Sequence, residues 1–300
     1  MTSFTDLEIV SRYRKLYGLS DSVGLKHVER HRKLEAELAS KLLCSTPENR
    51  LQVFADCYTT LYKELPWLNE GIGHRPPNAK DRAWQRLLKK PSMIYEVGSG
   101  KGHLISHLAR LGHHCVATEI TVERGAKHVR NIDGVEWRVT NGINLAKFEQ
   151  PETYDVVICS QVIEHFHPDD VQSHFENVRT ILKPGGQYFF DTPHVGAGPQ
   201  DLSLVFDLDR SPFMHLREYD FRGLRSIAYS AGFKSVEAIL CYPSTRLTIG
   251  PIRSNLLMQF YCLVDGVFSA LKFTHRRERT IRRLLRCAMV PANMWLVAVT

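Results

Sequence analysis

The chain has 300 residues, 43% of them apolar, which suffices for one well-buried core with attachments. Its net charge of +7 is concentrated in residues 270–287, where seven Lys/Arg face Glu278 alone, so a surface basic all over, as in nucleic-acid coating, is not implied. No secretory-type leader opens the chain, Gln259 and Asp265 interrupt its greasiest stretch, and seven scattered cysteines argue against a disulfide frame or zinc site; a cytoplasmic protein without a transmembrane segment is expected.

Residues 1–90 read as a helical cap. Leu34, Leu38 and Leu42 recur every fourth position, and Ser45-Thr46-Pro47-Glu48 reads as a helix start. From 93 the texture changes. Strand candidates are 93–97, 115–119, 135–139, 154–159, 187–191, 235–241 and 293–299, with helical stretches at 102–111, 122–131 and 169–182. This alternation predicts an α/β core, 91–242, with a parallel sheet and helices on both faces. Some fifty residues part the last two strands, so 243–292 is expected to be a helical, basic insertion or lid, and 293–300 to return as the last core strand.

The first strand carries Glu96 near its end and runs into Gly98-Ser99-Gly100-Lys101-Gly102 before a helical pattern begins. Strand, glycine turn, helix is the geometry in which backbone N–H groups face a ligand above a sheet edge. A dinucleotide fingerprint, G-x-G-x-x-G, would need glycine where His103 stands, which excludes a nicotinamide dehydrogenase. The second strand ends in Glu119, suited to accept both hydroxyl hydrogens of a ribose, or else a surface glutamate with Ile120 following. After the third strand comes Asn141-Gly142-Ile143, either a binding loop or an ordinary Asn-Gly turn. Ser160, Gln161 and Glu164-His165 close the fourth strand, and Leu182-Lys183-Pro184-Gly185-Gly186 precedes the fifth.

The pattern E-x-G-x-G-x-G, with Val162-Ile163-Glu164-His165 after strand four and the Lys-Pro-Gly-Gly turn before strand five, resembles the class I S-adenosylmethionine-dependent methyltransferases, specifically the small-molecule type. The resemblance covers roughly residues 90–242. It implies a doubly wound, Rossmann-like sheet of seven strands, the last antiparallel, flanked here by the cap and the insertion. It also implies S-adenosyl-L-methionine as cofactor. Glu96 would lie near its methionine part, Gly98, Ser99, Gly100 and Gly102 beneath it, Glu119 and Ile120 at the ribose, Asn141 and Gly142 at the adenine, with Ser160 and Gln161 facing the same region.

Methyl transfer from a sulfonium is an in-line displacement, and a hydroxyl acceptor also needs a base. His194, just past strand five, is the first candidate for a base or acceptor contact; a solvent-facing loop histidine is the alternative. His165 with Glu164 is the second, unless His165 only orders its loop. In some relatives an acidic–histidine group here binds a divalent metal, but no further ligands match, so no metal is expected. His215 and Arg217, in a segment resembling one common in the superfamily, are candidate acceptor contacts together with Asp201. Tyr58 and Tyr62 join them, although tyrosines at helical spacing also fit a core. The basic stretch 272–286 is a solvated face, or a contact for an anionic membrane, an anionic substrate or RNA. The expected activity is methylation of O or N on a small-molecule, lipid or glycosyl acceptor. An RNA methyltransferase is the rival enzyme; it would want Asn/Asp-Pro-Pro-aromatic where Gln161-Val162-Ile163-Glu164 stands, so nucleic acid is not an expected partner. A cofactor-binding protein without chemistry is the non-enzyme rival.

Overall fold

The computed structural model describes residues 4–69, 76–88, 91–129, 132–243, 248–270 and 291–300. Apolar, β-branched runs form Met93–Val97 (β1), His114–Glu119 (β2), Val135–Val139 (β3), Tyr154–Ser160 (β4) and Leu182–Pro193 (β5). Ser235–Pro243 (β6), Thr248–Ser254 (β7) and Asn293–Val299 (β8) complete one sheet in the order β3-β2-β1-β4-β5-β8-β6-β7. Neighbours among β1–β5 run parallel, and β8 lies antiparallel between β5 and β6.

Eight strands stand where seven were expected. The extra one, β7, pairs antiparallel with β6 inside the stretch expected to be helical. Gly250-Pro251 disfavours a helix there, whereas an edge strand tolerates proline, and the β6–β7 register shifts opposite Pro251, between Leu240 and Tyr242. The insertion does hold a helix, Asn255–Ala270 (α11), which packs on β6 and on Phe221–Ser230 (α10). The helix expected over 122–131 shrinks to the single turn Ala126–Val129 (α7). Gly125 explains this: its φ is +80°, and a Cβ there would stand 2.2 Å from the Gly100 carbonyl oxygen.

Alternation along β1 feeds both faces of the sheet. Ile94 packs with Trp84 of Ala79–Leu87 (α5) and with Leu104, Ile105 and Leu108 of His103–Arg110 (α6). Tyr95 and Val97 face Phe175 and Val178 of Val171–Ile181 (α8) and Leu224 of α10. Each such side chain taken from water contributes about 1.5–3 kcal/mol.

The cap consists of Asp6–Tyr17 (α1), Leu25–Leu43 (α2), Arg50–Glu64 (α3) and the turn Pro66–Asn69 (α4). Leu38 and Leu42 of the predicted leucine row bury against Phe54, Leu61, Leu65 and Met214. Val10, Tyr13 and Val28 meet Leu202 and Phe213, so a segment distant in sequence, including Ser203–Phe206 (α9), completes the cap. Arg50 of α3 binds Asp170 ahead of α8 at 2.7 Å, and Thr59 bonds Thr121 after β2 at 2.8 Å. These contacts hang the cap over the carboxyl ends of the strands.

Candidate active site

Strand order reverses direction around β1, with β2 on one side and β4 on the other, and a ligand crevice is expected at the carboxyl ends of such strands. A cavity of about 650 Å³ occupies that place, walled by the glycine loop, the ends of β2 and β4, and cap helices α1–α3. Ser99 N–H donates to the Thr118 carbonyl at 2.8 Å, and Gly100 N–H to Glu119 Oε1 at 2.7 Å, fixing the loop against β2. The three loop glycines serve different ends. A Cβ at Gly98 would meet Val162 Cγ2 at 2.5 Å and one at Gly102 would meet Val129 Cγ2 at 2.2 Å, so both answer to packing. At Gly100 (φ +57°) a Cβ would meet only the Arg124 guanidinium, at 3.6 Å, and otherwise open space. Gly102 precedes α6 and does not line the cavity, which corrects its expected ligand role.

The other sequence-predicted cofactor residues come together on this wall: Glu96, Gly98, Ser99, Gly100, Glu119, Ile120, Asn141, Gly142, Ser160 and Gln161. Burial raises the Glu119 pKa, while Arg124 and the N–H groups of Gly100 and Ile120 hold it partly down. Arg124, missed in the sequence, lies 4.6 Å from the Tyr62 ring centre with Nε 3.9 Å from Glu119. Burial, then the charges of Glu119 and Asp81, push the Glu96 carboxyl up to about 8. Asn141 Oδ1 accepts the N–H groups of Ile143 and Asn144 at 2.8 Å each, so it also builds the turn. Gln161 adopts φ +57°, strained for a side chain of its size; its Nε2 donates to Asp191 Oδ2 at 2.8 Å, and Lys80 Nζ reaches the same oxygen at 2.9 Å. Lys80, from α5, is a further wall residue that sequence spacing could not reveal.

Glu164, His165 and His215 converge. Their ligand atoms all lie within 4.8 Å of one another, and both histidines line the cavity. Carbonyls and carboxylates only accept, so His165 Nδ1 donates to the Met214 carbonyl at 2.9 Å and His215 Nδ1 donates to Glu218 at 3.0 Å. Both Nε2 atoms are thereby left without a recorded protein partner among the described residues. Glu164 is fully buried; Oε2 accepts from Thr192 at 2.9 Å and Oε1 has no partner. Burial lifts its pKa to about 7 against the pull of His215. Burial, with the neighbouring His215, drives His165 down to about 3, a neutral imidazole. Burial opposes charge on His215 too, but the Glu218 hydrogen bond and the Glu164 charge outweigh it and raise its pKa. His215, fifty residues from His165, is the third ligand-type group that the sequence could not match.

Two expectations are corrected. His194 is buried and outside the cavity wall: Nδ1 accepts from Gly196 N–H at 2.9 Å and Nε2 donates to Asp265 of α11 at 3.0 Å, so both nitrogens are committed. Arg217 is exposed and stacks on Tyr219 instead of reaching the cavity. Asp201, Tyr58 and Tyr62 do line it, Tyr58 edge-on to His165 with ring centres 6.3 Å apart. No described residue of α11 lines it.

The sequence profile of a family described as a methyltransferase domain matches residues 69–238. The ubiquinone biosynthesis O-methyltransferase of Acinetobacter baumannii is 33% identical over 104 residues, 33% of this chain and 43% of that one. Its counterpart in Colwellia psychrerythraea is 34% identical over 106 residues, 33% and 41% of the two chains. The match thus spans less than half the length of these curated relatives. Among solved structures, a SAM-dependent methyltransferase of Archaeoglobus fulgidus superposes with TM-score 0.50 at 16% identity, covering 74% of this chain and 92% of that one. The 1,6-didemethyltoxoflavin-N1-methyltransferase of Burkholderia thailandensis gives TM-score 0.51 at 14% identity, covering 85% and 91%. At such identities the superpositions speak for the fold, whereas the profile covers more than half of the residues: the chain belongs to the methyltransferase-domain family.

Proposed function

We propose that this protein is an S-adenosyl-L-methionine-dependent methyltransferase acting on a hydroxyl of a small molecule. The observation that carries this reading is the pair His165 and His215, gathered around buried Glu164, lining the same cavity as the open Gly100 position. The wall fits a polar nucleoside: buried Glu96 Oε2 and Thr140 Oγ1 lack protein partners. Glu119 would take the ribose hydroxyls, and Asn141 with Ile143 the adenine. The bound cofactor supplies an electrophilic methyl group. An amine acceptor would need no base; a hydroxyl does, and His215 Nε2, backed by the Glu218 carboxylate, is placed to take its proton while His165 Nε2 accepts a hydrogen bond. The relatives named as O-methyltransferases support the same choice.

His215→Ala tests it. Cofactor affinity should hold while kcat falls by about 10²–10⁴. In the wild type, kcat should rise with pH as His215 loses its proton, later than an ordinary imidazole would, because the Glu218 hydrogen bond and the Glu164 charge raise its pKa. An unaltered kcat in the variant refutes the assignment. A second reading, one divalent ion held by the three groups, is favoured by their mutual spacing and by the anchored Nδ1 atoms. Activity abolished by EDTA and restored by added metal selects it; indifference to EDTA leaves His215 as the base.

Among the described residues no helix is long and apolar enough to cross a membrane. Contact of 272–286 with an anionic membrane or substrate is part of the proposal; that stretch lies outside the described residues, and its charge supports the idea. The exposed row Leu256, Phe260, Leu263 and Val267 on α11 just before it adds an apolar face. Co-sedimentation with phosphatidylglycerol vesicles but not with phosphatidylcholine would bear out the membrane contact, and sedimentation with neither removes it. A cytoplasmic location belongs to the same proposal and rests on the cysteine spacing.

A further inference from the structure

The cap carries one buried carboxylate that the proposed transfer chemistry does not use. Glu35, on α2, is 9% exposed and lines the cavity. Its Oε1 lies 2.8 Å from His31 Nε2; His31 Nδ1 lies 2.8 Å from the Tyr13 hydroxyl, which lies 2.9 Å from Trp67 Nε1. The donor inventory fixes the direction of this chain. An indole N–H only donates, so Trp67 gives to the Tyr13 oxygen and the Tyr13 proton goes to His31 Nδ1. The single proton of the imidazole then sits on Nε2, directed at Glu35. A doubly protonated His31 would leave the Tyr13 proton without an acceptor, whereas the neutral ring satisfies every donor in the chain.

Glu35 is therefore held in place but not neutralised. His31 is its one ion-pair partner among the described residues, and the hydrogen bonds of the chain place only one proton on that ring. A carboxylate on a largely buried cavity wall gains when a ligand brings the counter-charge. Tyr17, Tyr58 and Tyr62 also line the cavity. The Tyr62 ring already holds Arg124, whereas no cation lies over the Tyr17 or Tyr58 ring among the described contacts. Burial, followed for Tyr17 directly by the Glu35 charge, keeps both hydroxyls protonated and both rings neutral. A carboxylate beside neutral aromatic rings is the chemistry that selects an organic cation.

Taking the methyltransferase reading for what is done to the bound molecule, we infer that this end of the cavity binds a protonated amine on the acceptor, with Glu35 as its counter-ion and Tyr17 and Tyr58 beside it. Titration calorimetry of the full chain with tyramine and with 4-ethylphenol, which differ by the ammonium group, reads the preference without turnover. Tyramine should bind about tenfold tighter or better. In Glu35→Gln, whose amide oxygen still accepts from His31, the two probes should come within about twofold of each other, at unchanged melting temperature and cofactor affinity. Equal binding to the wild type, no binding of tyramine, or a preference that survives Glu35→Gln overturns the inference. Should Glu35→Gln fail to fold, the wild-type comparison decides by itself. A parallel titration with S-adenosyl-L-methionine separates the two readings: cofactor binding without amine preference removes only this one.

Discussion

The two halves of the cavity are built by different means. The half proposed for the cofactor is backbone and a few carboxylates, drawn from consecutive strand ends between Glu96 and Gln161. The half proposed for the acceptor is side chains alone, gathered from α1, α2, α3 and the segment around His215. Backbone can hold a ligand only where a chain turns sharply and lacks a Cβ, so that half leaves a dense local pattern. Side chains can be delivered from any helix, so the other half leaves almost none. Shared chemistry sits in the first half and selectivity in the second.

Substitutions can break this division, and the largest effect should come from the backbone half. Gly100→Val places a branched side chain in the one open position of the loop, and cofactor affinity should drop by roughly 100-fold, about 2.8 kcal/mol. The fold should survive with a lowered melting temperature, because the new Cβ meets only a flexible guanidinium while the φ of +57° strains a branched residue. Gly102→Val, aimed at Val129, should instead fail to fold. Equal melting temperatures for the two variants would erase the distinction between ligand-facing and packing glycines.

A smaller effect is expected at His194, which lies in neither half. His194→Ala should cost about 1–3 kcal/mol of stability by stranding buried Asp265, with kcat unchanged for the folded fraction. A loss of kcat at full stability would return His194 to the catalytic list.

The remaining prediction is a pH dependence. Glu96 has its folded-state pKa raised from 4.5 to about 8. Its contribution to stability is therefore complete below the unfolded value and is lost as pH rises towards 8. Glu96→Gln should match the wild type near pH 5 and exceed its melting temperature at pH 9. Parallel melting curves across that window would show that burial leaves this carboxyl unperturbed.

The core strands were readable because apolar runs ending in a carboxylate or glycine have few other uses. The eighth strand was not, since Thr248–Ser254 gains its pairing only from the exposed edge of β6. Asn141 was read as an amide for a ligand or as a turn, and its Oδ1 is committed to the turn. His194 looked well placed because it follows β5, yet a carboxylate seventy-one positions later draws it away. The reverse happened at His215, which the cap segment returns to His165.

By itself the sequence determined the alternating core, the glycine loop and the family, since these depend on local periodicity and on residues adjacent along the chain. Only the tertiary structure decided which histidines share a cavity, which glycine faces open space, and that a carboxylate of the second helix looks into the acceptor end. Those outcomes depend on packing between elements far apart in the chain, where a one-residue change of contact redirects a side chain and no local pattern records it.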